Sequence, residues 1–140
     1  MQDKNLYDDL SSPTISTQSL FMILCIAQSE KRKIACADID GAYLNANMGK
    51  QEVIMKIDPY VSELLCYPYP KYLKHIVNSN DSCIYVKLRK ALYGCVESAR
   101  LFYLHVKKSL NDLGFKENNY DKCVFNKTID KTQITVVMIW

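Results

Sequence analysis

The sequence has no apolar run long enough to cross a bilayer and only a small excess of positive charge. Its longest purely apolar run, Leu20–Ala27, is far short of the ~20 residues that a membrane-spanning helix needs. The polar, acidic start Met1–Asp9 has no signal-peptide pattern. These absences predict a cytoplasmic or nuclear protein that is not secreted. The net charge of +3 is too small to identify a nucleic-acid binder by itself.

The cysteines lack the close pairing that marks many zinc and redox sites. No C-x-x-C pair occurs, and several cysteines stand within apolar runs, where a small thiol packs well. We expect free thiols in the core, with disulfides or a zinc site as the alternatives. The six residues are Cys25, Cys36, Cys66, Cys83, Cys95 and Cys123.

What is present is the composition of one ordinary globular domain, with 140 residues, 49% of them hydrophobic and 24% charged. A chain of this length buries roughly two thirds of its unfolded surface when it folds, so it needs no disulfide or metal to hold a core. We therefore treat residues 1–140 as a single domain.

The N-terminal half predicts one helix and two strands. Thr17 is a suitable cap for a helix over Ser19–Ser29, which is apolar almost all round and is therefore expected in the core. The apolar run Ile34–Asp40 predicts a buried strand that ends in two acids. Gln51–Ile57 has strand composition and stops at Asp58-Pro59.

The C-terminal half begins with a segment, Cys66–Asn80, whose prolines, tyrosines and polar end predict an inserted surface loop. Ile84–Leu88 alternates as a strand does. A helix is expected over Glu97–Leu113, ended by Gly114. Its buried stripe is predicted to consist of Ala99, Phe102, Tyr103, Val106, Leu110 and Leu113.

Two further strand-like runs, Cys123–Asn126 and Ile134–Trp140, flank Ile129–Thr132, which predicts a hairpin turn. The last run is hydrophobic to its end and has no terminating turn. We expect this ending in an excised or truncated domain.

Asp38 and Asp40 stand two apart on the predicted strand Ile34–Asp40, so their carboxylates would share one face. Paired carboxylates form a hard oxygen site that suits Mg²⁺ in phosphoryl transfer. The alternative is a plain turn, because Asp and Gly often end strands.

Spaced blocks along the chain resemble the reverse transcriptases of copia-type (pseudoviridae) retrotransposons. The resemblance covers about residues 11–140 and leaves residues 1–10 as an N-terminal extension. The block around Asp38 resembles the family's first catalytic block, and the block ending at Gly94 resembles its "leucine-tyrosine-glycine" signature. The similar segments are Ser12–Thr14 with Leu20–Ala27, Ala37–Asn45, Gln51–Lys56, Val86–Gly94, Leu113–Phe115, Asp121 and Cys123–Phe125.

The resemblance implies an α+β fold: the partial fingers and palm of a right-hand polymerase, with an antiparallel sheet packed on helices. It implies that Asp38 is the first catalytic, metal-binding aspartate and that Ile39 offers its carbonyl to Mg²⁺. Asp40, Gly41 and Ala42 would line the triphosphate of the incoming nucleotide. Tyr43 would pack under the deoxyribose and exclude a 2′-hydroxyl; the alternative is a core aromatic.

The resemblance also places Gly94 near the templating base, where a residue without a side chain allows close approach. Lys87, Arg89 and Lys90 would contact the template-primer backbone, or else form a solvated strand edge. After Gly94 the sequence departs from the family pattern. Val96 stands where the family has lysine and Glu97 where it has glutamine, changes that would weaken the hold on a polyanion.

The family's two other catalytic aspartates lie in an aromatic-x-Asp-Asp turn after a strand like Ile134–Trp140. We expect this strand to run antiparallel beside the Asp38 strand. The sequence ends where that turn would begin, so we expect a truncated domain that is inactive by itself. Its complete form would transfer nucleotides to a primer 3′-hydroxyl on an RNA or DNA template, as part of a retrotransposon polyprotein. The alternative is a non-catalytic relic or host-reused module that binds nucleic acid or protein.

Overall fold

Three α-helices and five short strands occur in the part of the chain that the computed structural model describes, residues 10–50, 52–77 and 82–139. Two 3₁₀ helices, Ala42–Asn45 and Pro70–His75, lie between them. The chain is a mixture of helices and antiparallel sheets. This confirms the expected α+β class as a mixture of these elements. In order, the elements are α1 Thr17–Ser29, β1 Ile54–Ile57, α2 Pro59–Cys66, β2 Ile84–Lys87, α3 Ser98–Asp112, β3 Lys116–Glu117, β4 Val124–Ile129 and β5 Thr132–Val137.

The strands form two antiparallel sheets. β1 pairs with β2 from Ile54↔Lys87 to Ile57↔Ile84, and β4 lies between β3 and β5 in a three-stranded sheet. The β4–β5 hairpin confirms the predicted turn. Asp130 and Lys131 have φ values of 47° and 65°, the left-handed pair that a tight hairpin turn requires. Gln51, the first residue of one predicted strand, and Trp140, the last residue of another, lie outside the described residues.

α3 is the central packing element. One cluster of buried side chains, Tyr103, Cys123, Phe125 and Met138, joins α3 to the three-stranded sheet. A second cluster, Ala46, Ala91 and Phe102, joins it to the loops around residues 46 and 91. Val106 packs against both clusters. The predicted stripe is therefore confirmed over this stretch, but Leu113 is exposed because the helix ends at Asp112.

α1 differs from its prediction in two ways. Its cap is Ser16, whose Oγ accepts a hydrogen bond from the Ser19 N–H at 3.1 Å, and not Thr17. Its expected place in the core is wrong, since Ala27 is the one buried residue of the helix. Phe21 and Met22 are exposed, because the described neighbours cover one side of this nearly all-apolar helix. None of the described helices is long and apolar enough to cross a membrane.

The predicted buried strand Ile34–Asp40 is wrong. Residues 32–39 have no regular structure, and Ile34 and Ile39 are exposed. A strand is held by hydrogen bonds to a neighbour, and none of the described strands pairs with this segment. The expected antiparallel pairing with Ile134–Trp140 is therefore also wrong for the described residues. There β5 pairs with β4 alone.

The segment between β1 and β2 is more regular than predicted. Asp58 caps α2 by accepting the Val61 N–H on Oδ1 at 3.0 Å, and Pro59 occupies the first helical turn, where proline is well tolerated. The predicted loop Cys66–Asn80 contains the 3₁₀ helix Pro70–His75. Its end, residues 78–80, lies outside the described residues.

The cysteines divide into three groups by burial, with Cys95 half-buried between the other two groups. All six are free thiols. Cys66, Cys83 and Cys123 are buried, as expected, but Cys25 and Cys36 are exposed, because α1 and the segment after it lie at the surface. The expectation of core thiols is wrong for these two.

Candidate functional site

Residues from two distant parts of the sequence form one surface, which we call the two-loop surface and define as residues 38–48 and 87–98. The two segments are joined by backbone hydrogen bonds from Met48 N to Arg89 O and from Ala91 N to Ala46 O, each 3.0 Å long. Buried alanines at 46 and 91 pack with Phe102 beneath this junction. The structure thus brings together the two sequence blocks, Ala37–Asn45 and Val86–Gly94, that carry the resemblance.

The first loop turns sharply at Gly41, whose φ of 59° and ψ of 39° lie in the left-handed region. Asn45 Nδ2 donates to the carbonyls of Asp40 and Gly41 at 3.2 and 3.3 Å. In a trans peptide the N–H points opposite to the C=O. The N–H groups of Gly41 and Ala42 therefore point away from Asn45, where two adjacent donors can face an anion.

Two tyrosine rings connect the loops. Tyr43 and Tyr93 are stacked, with ring centroids 4.3 Å apart and an angle of 28° between the planes. Tyr43 also lies 5.9 Å from the Phe102 ring and is half-buried, whereas Tyr93 is 61% exposed. The resemblance assigned the aromatic contact to Tyr43 alone. In the structure the exposed ring belongs to Tyr93, and Tyr43 supports it.

The second loop is held by Ser98, a buried residue at the start of α3. Ser98 Oγ donates to Leu92 O at 2.6 Å and accepts from Leu92 N at 3.1 Å. This pair of bonds closes the turn that carries Tyr93 and Gly94. Gly94 has a φ of 89°, and a Cβ placed on it would meet nothing within 4 Å. Glycine is thus required here by the backbone conformation, and the space above it is open.

The three predicted cationic residues have different surroundings. Lys90 lies on the two-loop surface, with Nζ 3.5 Å from Asn45 O. Arg89 joins the loops through its carbonyl, and its side chain is exposed. Lys87 Nζ forms an exposed ion pair with Glu52 Oε1 at 3.1 Å, which is worth little in free energy. Of the three, Lys90 is the one that the structure joins to the first loop by its side chain.

Asp38 and Ile39 lie on the irregular segment that precedes the Gly41 turn. Asp38 and Asp40 are exposed, and the regular strand that would align them is absent from this segment. Ile39 borders a groove of about 280 Å³ along α3 that is also lined by Phe102, His105 and Leu110. Within the described chain, no three His, Cys, Asp or Glu side chains gather as a metal-binding group. The structure therefore presents the Asp38 carboxylate without a gathered set of further side-chain ligands.

Glu97, the acid expected to repel a polyanion, points inward. It is 8% exposed, and its Oε1 has no hydrogen-bond partner. A Cβ on Gly49 would lie 2.7 Å from Glu97 Oε2, so glycine at 49 leaves room for the carboxylate. The expected repulsion at the surface is therefore not supported by where this side chain lies.

Residues with shifted pKa values lie where α3 meets β3 and β4. Tyr103 donates to Glu117 Oε1 at 2.9 Å; burial, and then this carboxylate, raise the pKa of Tyr103. Burial opposes ionisation of Glu117, but bonds from Lys107 and Tyr103 prevail and lower its pKa. Burial and the nearby carboxylates raise the pKa of Cys123 to about 11. These groups hold the C-terminal sheet and lie outside the two-loop surface.

Comparison with known families decides the broad assignment. Residues 2–140 match the family model described as reverse transcriptase (RNA-dependent DNA polymerase). The chain belongs to the reverse transcriptase family. No solved structure matches the chain at a significant level. Membership of this family implies a nucleic-acid template-primer and deoxynucleotides as substrates.

Three residues that build the two-loop surface were given no role by sequence reasoning. They are Asn45, which orients the Gly41 turn, Tyr93, which stacks on Tyr43, and Ser98, which closes the Tyr93-Gly94 loop. Asn45 and Tyr93 lie inside the blocks that carry the resemblance. Ser98 gave no local signal, because its partner Leu92 is brought to it by the turn of the chain.

Proposed function

We propose that this chain is the part of a copia-type retrotransposon reverse transcriptase, from its fingers and palm, that contacts the incoming nucleotide and the template. The observation that carries the proposal is the two-loop surface, which joins the Gly41 turn to the Tyr93-Gly94 turn. The complete domain would extend a primer 3′-hydroxyl along an RNA or DNA template. It would act in the cytoplasm or nucleus, next to the other parts of the retrotransposon polyprotein.

The geometry supports a role for each part of this surface. The outward N–H groups of Gly41 and Ala42, with Lys90 nearby, suit the triphosphate. The stacked pair of Tyr43 and Tyr93 offers an aromatic face to the sugar or base. The open space above Gly94 admits a base of the template. Asp40 takes part through its carbonyl, which belongs to the turn. Its exposed carboxylate carries no positive charge and so does not attract the phosphates.

The metal chemistry of the family is assigned to Asp38 and the Ile39 carbonyl by resemblance alone. Because the described carboxylates do not gather around Asp38, we assign no catalytic step to this chain by itself. We expect the chain to give no primer extension with magnesium or manganese. A template-dependent product that disappears in Asp38→Asn would contradict this.

A second function, a non-catalytic module that binds nucleic acid or protein, is favoured by one observation. The segment around Asp38 is exposed and irregular, while the two-loop surface is held by buried side chains and backbone bonds. A module that binds without catalysis needs the ordered two-loop surface and does not need a fixed Asp38 carboxylate.

Nucleotide binding tests the proposal directly. Adding a deoxynucleoside triphosphate to the isotope-labelled chain should shift the amide resonances of Gly41, Ala42, Tyr93 and Gly94 in saturable fashion. The control is Tyr120, which is exposed in the loop between β3 and β4 and should not shift. Saturable shifts confined to other parts of the chain would remove the two-loop surface from the nucleotide site.

The role of Tyr43 is tested by sugar preference. If the ring excludes a 2′-hydroxyl, Tyr43→Val should bring the affinities for ribo- and deoxynucleoside triphosphates closer together, while Tyr43→Phe keeps them apart. If Tyr43 is only a core aromatic, Tyr43→Val lowers the melting temperature and leaves the affinity ratio unchanged. The ratio measured beside the melting temperature separates the two roles.

A further inference from the structure

β5 is an outer strand of the three-stranded sheet. It pairs with β4 on one side, and none of the other described strands lies along its second side. The isolated bridges within the described ranges, Asn47↔Lys90 and Ile76↔Ile84, also lie elsewhere. An open strand edge presents a row of backbone donors and acceptors with which another strand can pair.

The hydrogen bonds to β4 show which groups point to the open side. Met138, just after β5, donates its N–H to Cys123 O at 2.9 Å. Along an antiparallel strand, residues that bond to the neighbouring strand alternate with residues whose N–H and C=O groups point away from it. The N–H and C=O groups of Gln133, Thr135 and Val137 therefore point to the open side.

β5 lacks the charge that the other edge strands carry. β1 contains Lys56, β2 contains Lys87 and β3 contains Lys116. A lysine on an edge strand hinders pairing with another chain. The sequence of β5, TQITVV, contains no charged residue and no proline, and β5 is longer than each of these three strands. Its edge is therefore the one best suited to accept a further strand.

The face of β5 toward α3 is apolar but is incompletely covered. Val136 packs against the cluster that joins the sheet to α3, and Met138 belongs to that cluster. Ile134 shares this face, because residues two apart on a strand point to the same side. It is nevertheless 41% exposed. An apolar contact thus lies next to the open backbone of β5.

We propose that β5 pairs antiparallel with β5 of a second copy of this chain. In a two-fold arrangement centred on Thr135, the two Thr135 residues exchange backbone bonds, and Gln133 does so with Val137 of the second copy. Ile134 then lies beside Val136 of the second copy, because residues next to a bonded pair face each other closely. An uncharged strand meets an identical strand without repulsion, so a second copy fits this edge.

The symmetry of the contact limits the assembly to a dimer. Both copies use the same edge, so pairing closes the interface. The outer strand at the other side of each sheet is β3, whose two residues Lys116 and Glu117 are both charged, and it does not favour further pairing. A single strand pair buries less area than the roughly 1,200 Å² of stable interfaces, so we expect a weak dimer.

Sedimentation of the full chain at micromolar to millimolar concentration should show a reversible equilibrium between monomer and dimer. Thr135→Lys places two lysines opposite each other at the centre of the contact and should weaken the dimer about tenfold. Thr135→Val also loses the hydroxyl that donates to Asn126 Oδ1 at 2.8 Å, but it adds no charge and should retain the dimer. Thr128→Lys adds the same charge at an exposed position of β4 and should also retain it. Melting temperatures show that each variant folds.

A mixture of two variants tests the alignment of the strands. Thr135→Glu should dimerise as poorly as Thr135→Lys, because like charges meet in both. Mixing the two variants should restore the dimer, since each lysine then faces a glutamate across the two-fold axis. A mixture that stays monomeric, while Thr135→Val dimerises, would overturn pairing centred on Thr135.

Hydrogen exchange locates the contact on the strand. The N–H groups of Gln133 and Thr135 should exchange rapidly in the dilute chain and more slowly as its concentration rises. The N–H groups of Ile134 and Val136 point to β4 and should be protected at every concentration, which makes them the internal control.

Three further results would overturn the proposal. The first is a chain that stays monomeric up to millimolar concentration. The second is a dimer that Thr135→Lys leaves intact, which would assign the contact to another surface, such as the exposed apolar side of α1. The third is protection of Gln133 and Thr135 at every concentration, which would mean that a segment of the same chain covers the edge. None of these measurements includes a nucleotide or a metal, so they do not depend on the proposed function.

Discussion

The C-terminal sheet and the segment around Asp38 show opposite outcomes for two similar stretches of sequence. Both contain short apolar runs that predict strands. The C-terminal runs form β4 and β5, and Phe125 is fully buried between their sheet and α3. The run Ile34–Asp40 stays irregular, with both of its isoleucines exposed.

The difference follows from where each run finds its partner. β4 and β5 are joined by a two-residue turn, so closing their contacts costs little chain entropy. The Asp38 segment needs a strand from a distant part of the sequence, and none of the described strands lies beside it. An apolar run thus becomes a strand when a partner is present, and local partners are found first.

Thiol labelling should show the largest difference between the two regions. Cys36 is exposed in the Asp38 segment, whereas Cys123 is fully buried. A pKa raised to about 11 lowers the reactive thiolate fraction of Cys123 roughly a hundredfold at mildly alkaline pH, and burial lowers access further. Iodoacetamide labelling followed by peptide mass spectrometry should therefore find Cys36 modified far faster. Equal rates in the native chain would mean that the C-terminal core opens readily; in urea the two rates should converge.

Truncating one apolar side chain in each region compares their packing. Phe125→Ala removes a fully buried ring and should lower the free energy of unfolding by about 3–5 kcal/mol. Ile39→Ala alters an exposed side chain beside the α3 groove and should change it by less than about 1 kcal/mol. Urea unfolding followed by circular dichroism measures both. A cost for Ile39→Ala close to that of Phe125→Ala would show that the Asp38 segment is packed as a strand in solution.

Acid should weaken the C-terminal region through its paired carboxylates. Burial opposes ionisation of both groups, but bonds from Lys107 and Tyr103 lower the pKa of Glu117, and bonds from the N–H groups of Ser16 and Cys123 help to lower that of Asp121. A lowered pKa stabilises the fold above the ordinary value, and the stabilisation is lost as the pH falls through the folded value. Glu117→Gln should remove about 1–2 kcal/mol at neutral pH and flatten the acid side of the stability curve. Melting temperatures measured across acid pH give this stability curve. Asp121→Asn should leave the contribution of Glu117 to the curve in place. An unchanged curve in the double variant would contradict the role of these two carboxylates.

The smallest effect is expected at Glu97, which is buried, whereas Glu117 is half-buried. Glu117 is bonded to Lys107 and Tyr103, whereas Glu97 Oε1 is buried without a partner. Glu97→Gln keeps the shape, removes a charge that is costly to bury, and should raise the free energy of unfolding by about 1 kcal/mol. The exposed control Glu52→Gln should change it by less than about 0.5 kcal/mol. Destabilisation by Glu97→Gln would show that this carboxylate has a partner in solution.

Local chemistry was enough to predict much of the secondary structure. The Asp130-Lys131 turn, β1, β2 and most of α3 were predicted from alternation, helical spacing and turn residues. α2 was missed, although Asp58 followed by Pro59 is a recognisable helix start. The burial of α1 was predicted wrongly. A helix that is apolar all round needs neighbouring elements to cover it, but its sequence does not show whether those elements are present.

For the candidate site, the sequence blocks predicted roles for Tyr43 and Gly94 but not which residues surround them. The stacking of Tyr93 on Tyr43 and the closure of the loop by Ser98 join residues that are not neighbours in the chain. Nor could the sequence show that Glu97 points inward toward Gly49. Each of these depends on how two loops meet over α3.

The sequence by itself determined the family, the β4–β5 hairpin, the main helix and the residues that carry the resemblance, because these follow from spacing and from side-chain chemistry along the chain. Only the tertiary structure decided that Ile34–Asp40 is not a strand, that α1 is exposed and that Tyr93 stacks on Tyr43. The physical reason is that burial and pairing require a second surface. The sequence of a segment shows which kind of surface it can pack against. Whether such a surface lies next to it depends on the tertiary structure.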